Sequence, residues 1–350
     1  MTASTGSPDP RAAAEREARL ARLGDRLRAR RIALDAVPVV DFAGWSGDAA
    51  ARDGVARAID HALTNIGFMY LSGHGVPERL RADAFRVARE FFARPQDEKM
   101  ALHISRSGPA LHGYTEFFGE NADPGRTRDY KEIFDLGREA KDGRVRPFFG
   151  PTPWPTHPPD FREVMTAWHD AMLDLALRLM RAIARALGLP EDRFDPWLTE
   201  PIGIQRMLHY PPQEAAEDES LIGIGAHTDY GLLTILAQDE VGGLQVMNRD
   251  GDWIEAPPIP GTFVINIGDI MQRLTNDRYL ANLHRVVNIS GRDRYSLPFF
   301  FDFDYETVVA PLPECCGPDN PPRYEPIVSG EHKWRRYLAS FPHLREQGDG

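Results

Sequence analysis

The stretch GIGAHTDYGLLTIL, residues 223–236, sets His227 and Asp229 two apart inside an apolar, β-prone run. Read as a strand, alternation sends both side chains to the same face. A carboxylate buried there is costly unless a proton, an arginine or a metal ion compensates it. A third polar group follows: His284, in LANLHRVVN, opens another strand-like run 55 residues after Asp229. Two imidazoles and one carboxylate on neighbouring strands make the facial arrangement that suits ferrous iron, with the remaining positions open for a chelating co-substrate and O2. Zinc takes the same ligands. A hydrolytic zinc site, however, wants a nearby general base, and no H-E-x-x-H segment supplies one.

Ten residues after His284 comes RYS, with Arg294 and Ser296 again two apart. A guanidinium and a hydroxyl facing one interior form a receptor for a carboxylate. A metal at one point and a carboxylate anchor further along fit a dicarboxylate that chelates metal at its other end. 2-Oxoglutarate meets that description.

These residues need elements that hold them. VPVVDF (37–42) reads as a strand, 48–66 as a helix, GFMYLSGHGVP (67–77) as a strand and turn, and 78–93 as a helix. Residues 101–160 are rich in Gly and Pro and read as loops; 161–188 read as a long amphipathic helix stopped by Gly188-Leu189-Pro190. From residue 202 short β-rich runs alternate with turn signals, the pattern of a sandwich or barrel. GEHKWRRYLASFP reads as a short closing helix. Residues 1–10 are small and polar, and 11–31 read as a surface helix or arm. The helices are expected to pack outside the sheet, making one α+β unit.

The 350 residues carry a formal charge of −11, which argues against nucleic acid or an anionic membrane as obligate partner. No run is apolar enough to span a bilayer or serve as a secretory signal, and no obligate protein partner is evident. Cys315 and Cys316 are adjacent, so a disulfide framework is excluded and a reducing cytoplasm is expected. Of the eleven histidines, His61, His74, His103, His112, His157, His169, His332 and His343 are read as structural or exposed.

The ordered set H-x-D, distal His and R-x-S resembles the iron(II)/2-oxoglutarate-dependent dioxygenases of the isopenicillin N synthase-like family. VPVVDF, GFMYLSGHGVP, DYKEIFDL and LTNDRYLANLHRVVN…RYSLPFFFDFDY extend the likeness over most of the chain. The resemblance implies a double-stranded β-helix, or jelly roll, at residues 191–345, with residues 32–190 packed against it and 1–31 as an arm. It implies His227, Asp229 and His284 as Fe(II) ligands, and Arg294, Ser296 and Tyr210 as contacts to 2-oxoglutarate. Leu208 stands where plant members often carry an asparagine. The implied reaction is hydroxylation or desaturation of a small molecule with O2, releasing succinate and CO2, with ascorbate as a stimulant. Family oxidases that do without 2-oxoglutarate share the triad and the R-x-S pair, and GIGAHTDYGLL and AQDEVGGL look close to the bacterial ethylene-forming enzyme. A non-catalytic barrel module or a zinc hydrolase fits the complete motif set less well.

The substrate pocket is expected from the 101–160 loops, the strands at 202–210 and 299–303 and the C-terminal helix, with Tyr114, Lys131, Arg206, Phe299 and Phe301 as candidate contacts. Arg206 shares a strand face with Leu208 and Tyr210 under strict alternation. A buried arginine needs an anionic partner, which is either a carboxylate on the substrate or an internal Asp or Glu.

Overall fold

The computed structural model describes residues 37–122, 127–212, 221–248, 250–288 and 290–340. The arm over 1–31 and His343 lie outside them. An eight-stranded sheet runs, in spatial order, through the strands 39–41, 68–72, 263–267, 233–238, 294–304, 201–210, 132–136 and 113–115. A four-stranded sheet, ordered 253–255, 244–247, 284–286 and 224–227, faces it. The site's cavity lies between the two, and both sheets contribute side chains to its wall.

Three helices cover the outer face of the large sheet. The helix Ala49–Asn65 starts where the Asp48 carboxylate accepts the Ala51 N–H at 2.9 Å, capping an otherwise orphaned donor. Its buried Val55, Ile59, Ala62 and Leu63 recur at helical spacing and meet the helix Phe161–Ala186, as does the helix Glu78–Phe92. The long helix then lays Trp168, Met172, Leu175 and Leu179 into the apolar layer beneath.

The strand Arg294–Asp304 shows how alternation divides the molecule. Leu297, Phe299, Phe301 and Phe303 point into the layer under the helices, whereas Arg294, Ser296, Pro298 and Phe300 point into the cavity. Phe299 and Phe301, expected at the substrate, are therefore core residues. Once Arg294 and Ser296 face inward, a period of two sends every odd position outward.

The loop-rich reading of 101–160 also needs amendment. The segments Gly113–Thr115 and Glu132–Leu136 are strands that extend the large sheet beyond Pro201–Tyr210. Their burial is complete, but much of it is achieved by ion pairs, so no apolar alternation announces them. Among the described residues no helix is long and apolar enough to cross a membrane, and both cysteines are free.

Phe299 is fully buried. Phe299→Ala is expected to lower stability by about 3–5 kcal/mol, and Phe300→Ala, facing the cavity, by clearly less. Denaturant midpoints measure both; equal losses would contradict the register.

Candidate metal and co-substrate site

His227 ends the strand Ile224–His227, and His284 begins the strand His284–Val286; the two are directly paired across the small sheet. Cross-strand partners stand close enough to touch, and the rings lie 4.2 Å apart, centre to centre. Asp229 is not on the strand. It lies two residues past its end, so loop geometry brings it beside His227, where the sequence pointed to alternation. The Asp229 Oδ1 is 3.7 Å from Nε2 of each histidine.

The loop is held by backbone. Asp269 and Ile270, at the start of the helix Asp269–Leu274, donate their N–H groups to Asp229 O at 2.8 Å and Gly231 O at 3.1 Å. Gly268 permits this approach: a Cβ there would come within 2.6 Å of Asp229 O and 2.5 Å of Gly231 O. Leu232 N–H donates in turn to the Asp302 carboxylate at 3.0 Å.

Each ligand candidate is also oriented. His227 Nδ1 donates to Gly225 O at 2.8 Å, and His284 Nδ1 to Asn282 O at 3.2 Å. That tautomer leaves both Nε2 atoms as bare lone pairs aimed at the Asp229 carboxylate. Asp229 Oδ2 accepts from Thr234 Oγ1 at 2.5 Å and Asn266 Nδ2 at 2.7 Å, which leaves Oδ1 facing the histidines. The ligand atoms of the three residues lie within 4.8 Å of one another. Burial, and then the neighbouring His284, push His227 down to about 4, so it is neutral at pH 7. Burial opposes ionisation of Asp229, but the His284 and His227 imidazoles and the Thr234 and Asn266 hydrogen bonds outweigh it and hold the carboxyl below its usual range. One carboxylate and two imidazole nitrogens converging on a buried point make a set of donors that a cation completes. The donor set fits Fe(II) or a similar divalent ion.

The same cavity, about 960 Å³ with its mouth, is lined further in by Tyr210, Leu236, Leu244, Arg294 and Ser296. Arg294 is fully buried. Its Nε donates to Gly242 O at 2.6 Å, its Nη1 to Ser296 Oγ at 3.2 Å and its Nη2 to Gln238 Oε1 at 3.3 Å, and its Cζ stands 4.8 Å from the Tyr210 ring centre. All these partners are neutral, and no described carboxylate pairs with it. A buried guanidinium without an anion is a standing demand for one. Tyr210 is buried, and its hydroxyl meets no hydrogen-bonding partner among the described residues. Arg294 and Tyr210 are register partners, as are Ser296 and Leu208. These residues fit an incoming carboxylate.

Alternation along Pro201–Tyr210 sends Arg206, Leu208 and Tyr210 to the cavity together, as expected. Arg206, however, has its anions inside the protein. Nε and Nη2 donate to Asp135 at 2.8 Å each, and Nη1 to Glu120 at 3.0 and 2.8 Å. The need for a substrate carboxylate as counter-ion is thereby removed. Tyr114 and Lys131 stand outside the cavity wall. Tyr114 lies in the core with its hydroxyl donating to Glu132 at 2.7 Å, and Lys131 pairs with Asp129 at 2.6 Å and Glu120 at 3.3 Å. The sequence reading missed Glu120, Tyr230, Phe300, Lys333 and Tyr337 in the wall, and Thr234 and Asn266 behind the triad. For the last two a signal existed, since each is a polar residue inside an apolar strand, LLTIL and TFVINI.

Comparison with known proteins agrees with this geometry. The model of the non-haem dioxygenase in morphine synthesis N-terminal region matches residues 37–157, and that of the 2OG-Fe(II) oxygenase superfamily matches residues 201–303. The 2-oxoglutarate-Fe(II) type oxidoreductase hxnY of Emericella nidulans is 38% identical over 319 residues, spanning 87% of this chain and 90% of that protein. A homoarginine-6-hydroxylase of Oryza sativa is 36% identical over 300 residues, 82% of this chain and 89% of that one. The crystal structure of a full-length Neurospora crassa protein in complex with alpha-KG and thymine is similar with a TM-score of 0.80 at 30% identity, covering 89% of this chain and 99% of that chain.

Removing either hydrogen bond to Asp229 Oδ2 frees the carboxylate to turn. Asn266→Ala and Thr234→Val are each expected to weaken Fe(II) binding roughly 10–100-fold, and Thr234→Ser to restore it. Anaerobic metal titration measures this; unchanged affinity in both variants would show that the two groups do not orient the ligand.

Proposed function

The chain belongs to the 2OG-Fe(II) oxygenase superfamily, and from that premise we propose what its own residues do. It is a non-haem iron oxidoreductase that uses 2-oxoglutarate and O2 to oxidise a small molecule, with succinate and CO2 as co-products. We assign residues 191–345 as the oxygenase core, residues 32–190 as the region that packs on it, and residues 1–31 as an arm. The N-terminal match and the R-x-S pair favour the isopenicillin N synthase-like branch. The two free cysteines favour a cytoplasmic setting.

His227, Asp229 and His284 hold Fe(II) in this reading. The bound metal supplies the redox chemistry that couples O2 to 2-oxoglutarate and to C–H oxidation. The backbone carbonyls of Gly225 and Asn282 keep the protons on the Nδ1 side of both rings, so each Nε2 stays available. Arg294 and Ser296 hold the distal carboxylate of 2-oxoglutarate, and Tyr210 adds its free hydroxyl. Leu208 and Leu236 line the stretch between with apolar surface, which excludes water and strengthens those polar contacts. The observation that carries this assignment is the fully buried Arg294 with only neutral partners.

The substrate binds at the other end of the cavity, and hydroxylation or desaturation there is the proposed outcome. The relatives include a homoarginine hydroxylase and a protein crystallised with thymine, both nitrogen-bearing small molecules. We propose the same broad class here.

Arg294→Leu is expected to raise the KM for 2-oxoglutarate at least thirtyfold, from the about 2–5 kcal/mol lost when one partner of a buried charge pair is removed, while Fe(II) affinity holds. Ser296→Ala should cost about 1 kcal/mol. Succinate release with Fe(II) and ascorbate present reads both. An unchanged KM in Arg294→Leu would show that Arg294 does not hold the co-substrate.

A further inference from the structure

The two ends of the cavity have opposite charge economies. At the Arg294 end the cation has no carboxylate in hydrogen-bonding contact among the described residues, and Asp239 acts on it only through space. At the Arg206 end carboxylates outnumber cations: Glu120, Asp129 and Asp135 share Arg206 and Lys131. Among the described residues the one other cation in this wall, Lys333, is closed off by its own buried pair with Asp302. An incoming carboxylate would meet one surplus negative charge and, among the described residues, no unpaired cation.

Unused hydrogen-bonding capacity sharpens the point. A carboxylate offers about four acceptor positions. Glu120 receives Arg206 Nη1 on both oxygens and Lys131 on one, and it lines the cavity, so acceptor capacity faces the space. A guanidinium has about five N–H groups. The second N–H of Arg206 Nη2 has no acceptor among the described residues. Acceptor and donor thus sit side by side on one wall.

Around that edge the surface is aromatic. The Arg206 guanidinium carbon stands 5.6 Å from the Phe300 ring centre. Tyr230 and Tyr337 meet edge to face at 6.0 Å, and the Tyr230 hydroxyl hydrogen-bonds Ser340 at 2.7 Å, which fixes its ring in the wall. Flat aromatic walls favour a flat ligand.

We propose that this end of the cavity is a subsite for a planar N–H-bearing unit of the lactam, urea or guanidine type, held by N–H donation to Glu120 and by packing against Phe300, Tyr230 and Tyr337. A carbonyl on such a unit takes the spare Arg206 N–H; a guanidine uses Glu120 alone. The proposal rests on the reading of the cavity as a 2-oxoglutarate oxygenase site and names the substrate class for it.

Titration calorimetry on the full chain, held anaerobic with Fe(II) and saturating 2-oxoglutarate so that Arg294 is already occupied, with thymine, 2-pyridone, homoarginine and benzoate tests it. At least one of the three N–H compounds is expected to bind, and benzoate, planar but without N–H, is not. Glu120→Gln should weaken the binding about tenfold or more, the scale of a hydrogen bond to a charged group. Phe300→Leu, which touches no ion pair, should weaken it as well and keeps the test open if Glu120→Gln does not fold. Binding of benzoate alone, binding of none of the three, or undiminished binding in both folded variants would overturn the subsite. Succinate formation by the wild type without added substrate separates the two readings. Its absence would overturn the oxygenase reading itself, whereas its presence beside a failed calorimetric result overturns the subsite only.

Discussion

Two imidazole nitrogens and one carboxylate oxygen are aimed at one buried point. That convergence is the constraint around which the rest of the molecule is arranged. Left alone, two imidazoles and a carboxylate would be free to turn away from that point. They do not because each is tied from behind: Gly225 and Asn282 hold the rings, and Thr234 and Asn266 hold the carboxylate. The fold keeps those ties rigid by placing the histidines on paired strands and the aspartate on a loop clamped by a helix start. A site held in this way is pre-organised for a cation, which then has little reorganisation to drive.

The distribution of charge along the cavity follows from the same need for compensation. Arg294 and Arg206 occupy equivalent settings, each buried on the inner face of the large sheet, on the adjacent strands Arg294–Asp304 and Pro201–Tyr210. One is surrounded by neutral oxygens, the other by two carboxylates. The difference decides what each end receives. An unpaired buried guanidinium costs stability in the free protein and returns it as affinity when an anion arrives. A saturated one contributes to structure and leaves ligand selection to its neighbours.

Much of this was legible in the sequence, and the reasons for the rest are physical. His227, Asp229 and His284 stood out because polar groups interrupt apolar runs, and Arg294 and Ser296 because a period of two links them; Tyr210 came from the family resemblance, and alternation then tied Arg206 to it. The same period, applied from Arg294 onward, selects Phe300 and rejects Phe299 and Phe301; the information was present in the alternation. Tyr114 and Lys131 could not be placed that way. Tyr114 sits on, and Lys131 just before, strands stabilised by buried ion pairs, whose apolar pattern is broken by the charges that satisfy one another. Glu120, Lys333 and Tyr337 reach the cavity from a loop and from the terminal helix Ser329–Ser340. No local spacing encodes a contact between residues so distant in the chain.

The terminal helix shows how such distant pieces are made to act as one wall. Lys333 crosses to Asp302 on the strand that also carries Arg294, and the other Asp302 oxygen accepts the N–H of Leu232, three residues beyond Asp229. Gly231 leaves room for this, since a Cβ there would lie 2.3 Å from Asp302 Oδ1. Ser340, at the far end of the helix, reaches Tyr230, the residue next to Asp229. The helix that closes the substrate end is thus tied at two points to the loop that carries the Asp229 carboxylate. A displacement of either is felt by the other, because the link runs through a buried ion pair, a backbone N–H held by the Asp302 carboxylate and a hydroxyl–hydroxyl hydrogen bond, which do not stretch gradually. In this fold the element that closes the substrate end and the loop that positions a metal ligand are mechanically one unit.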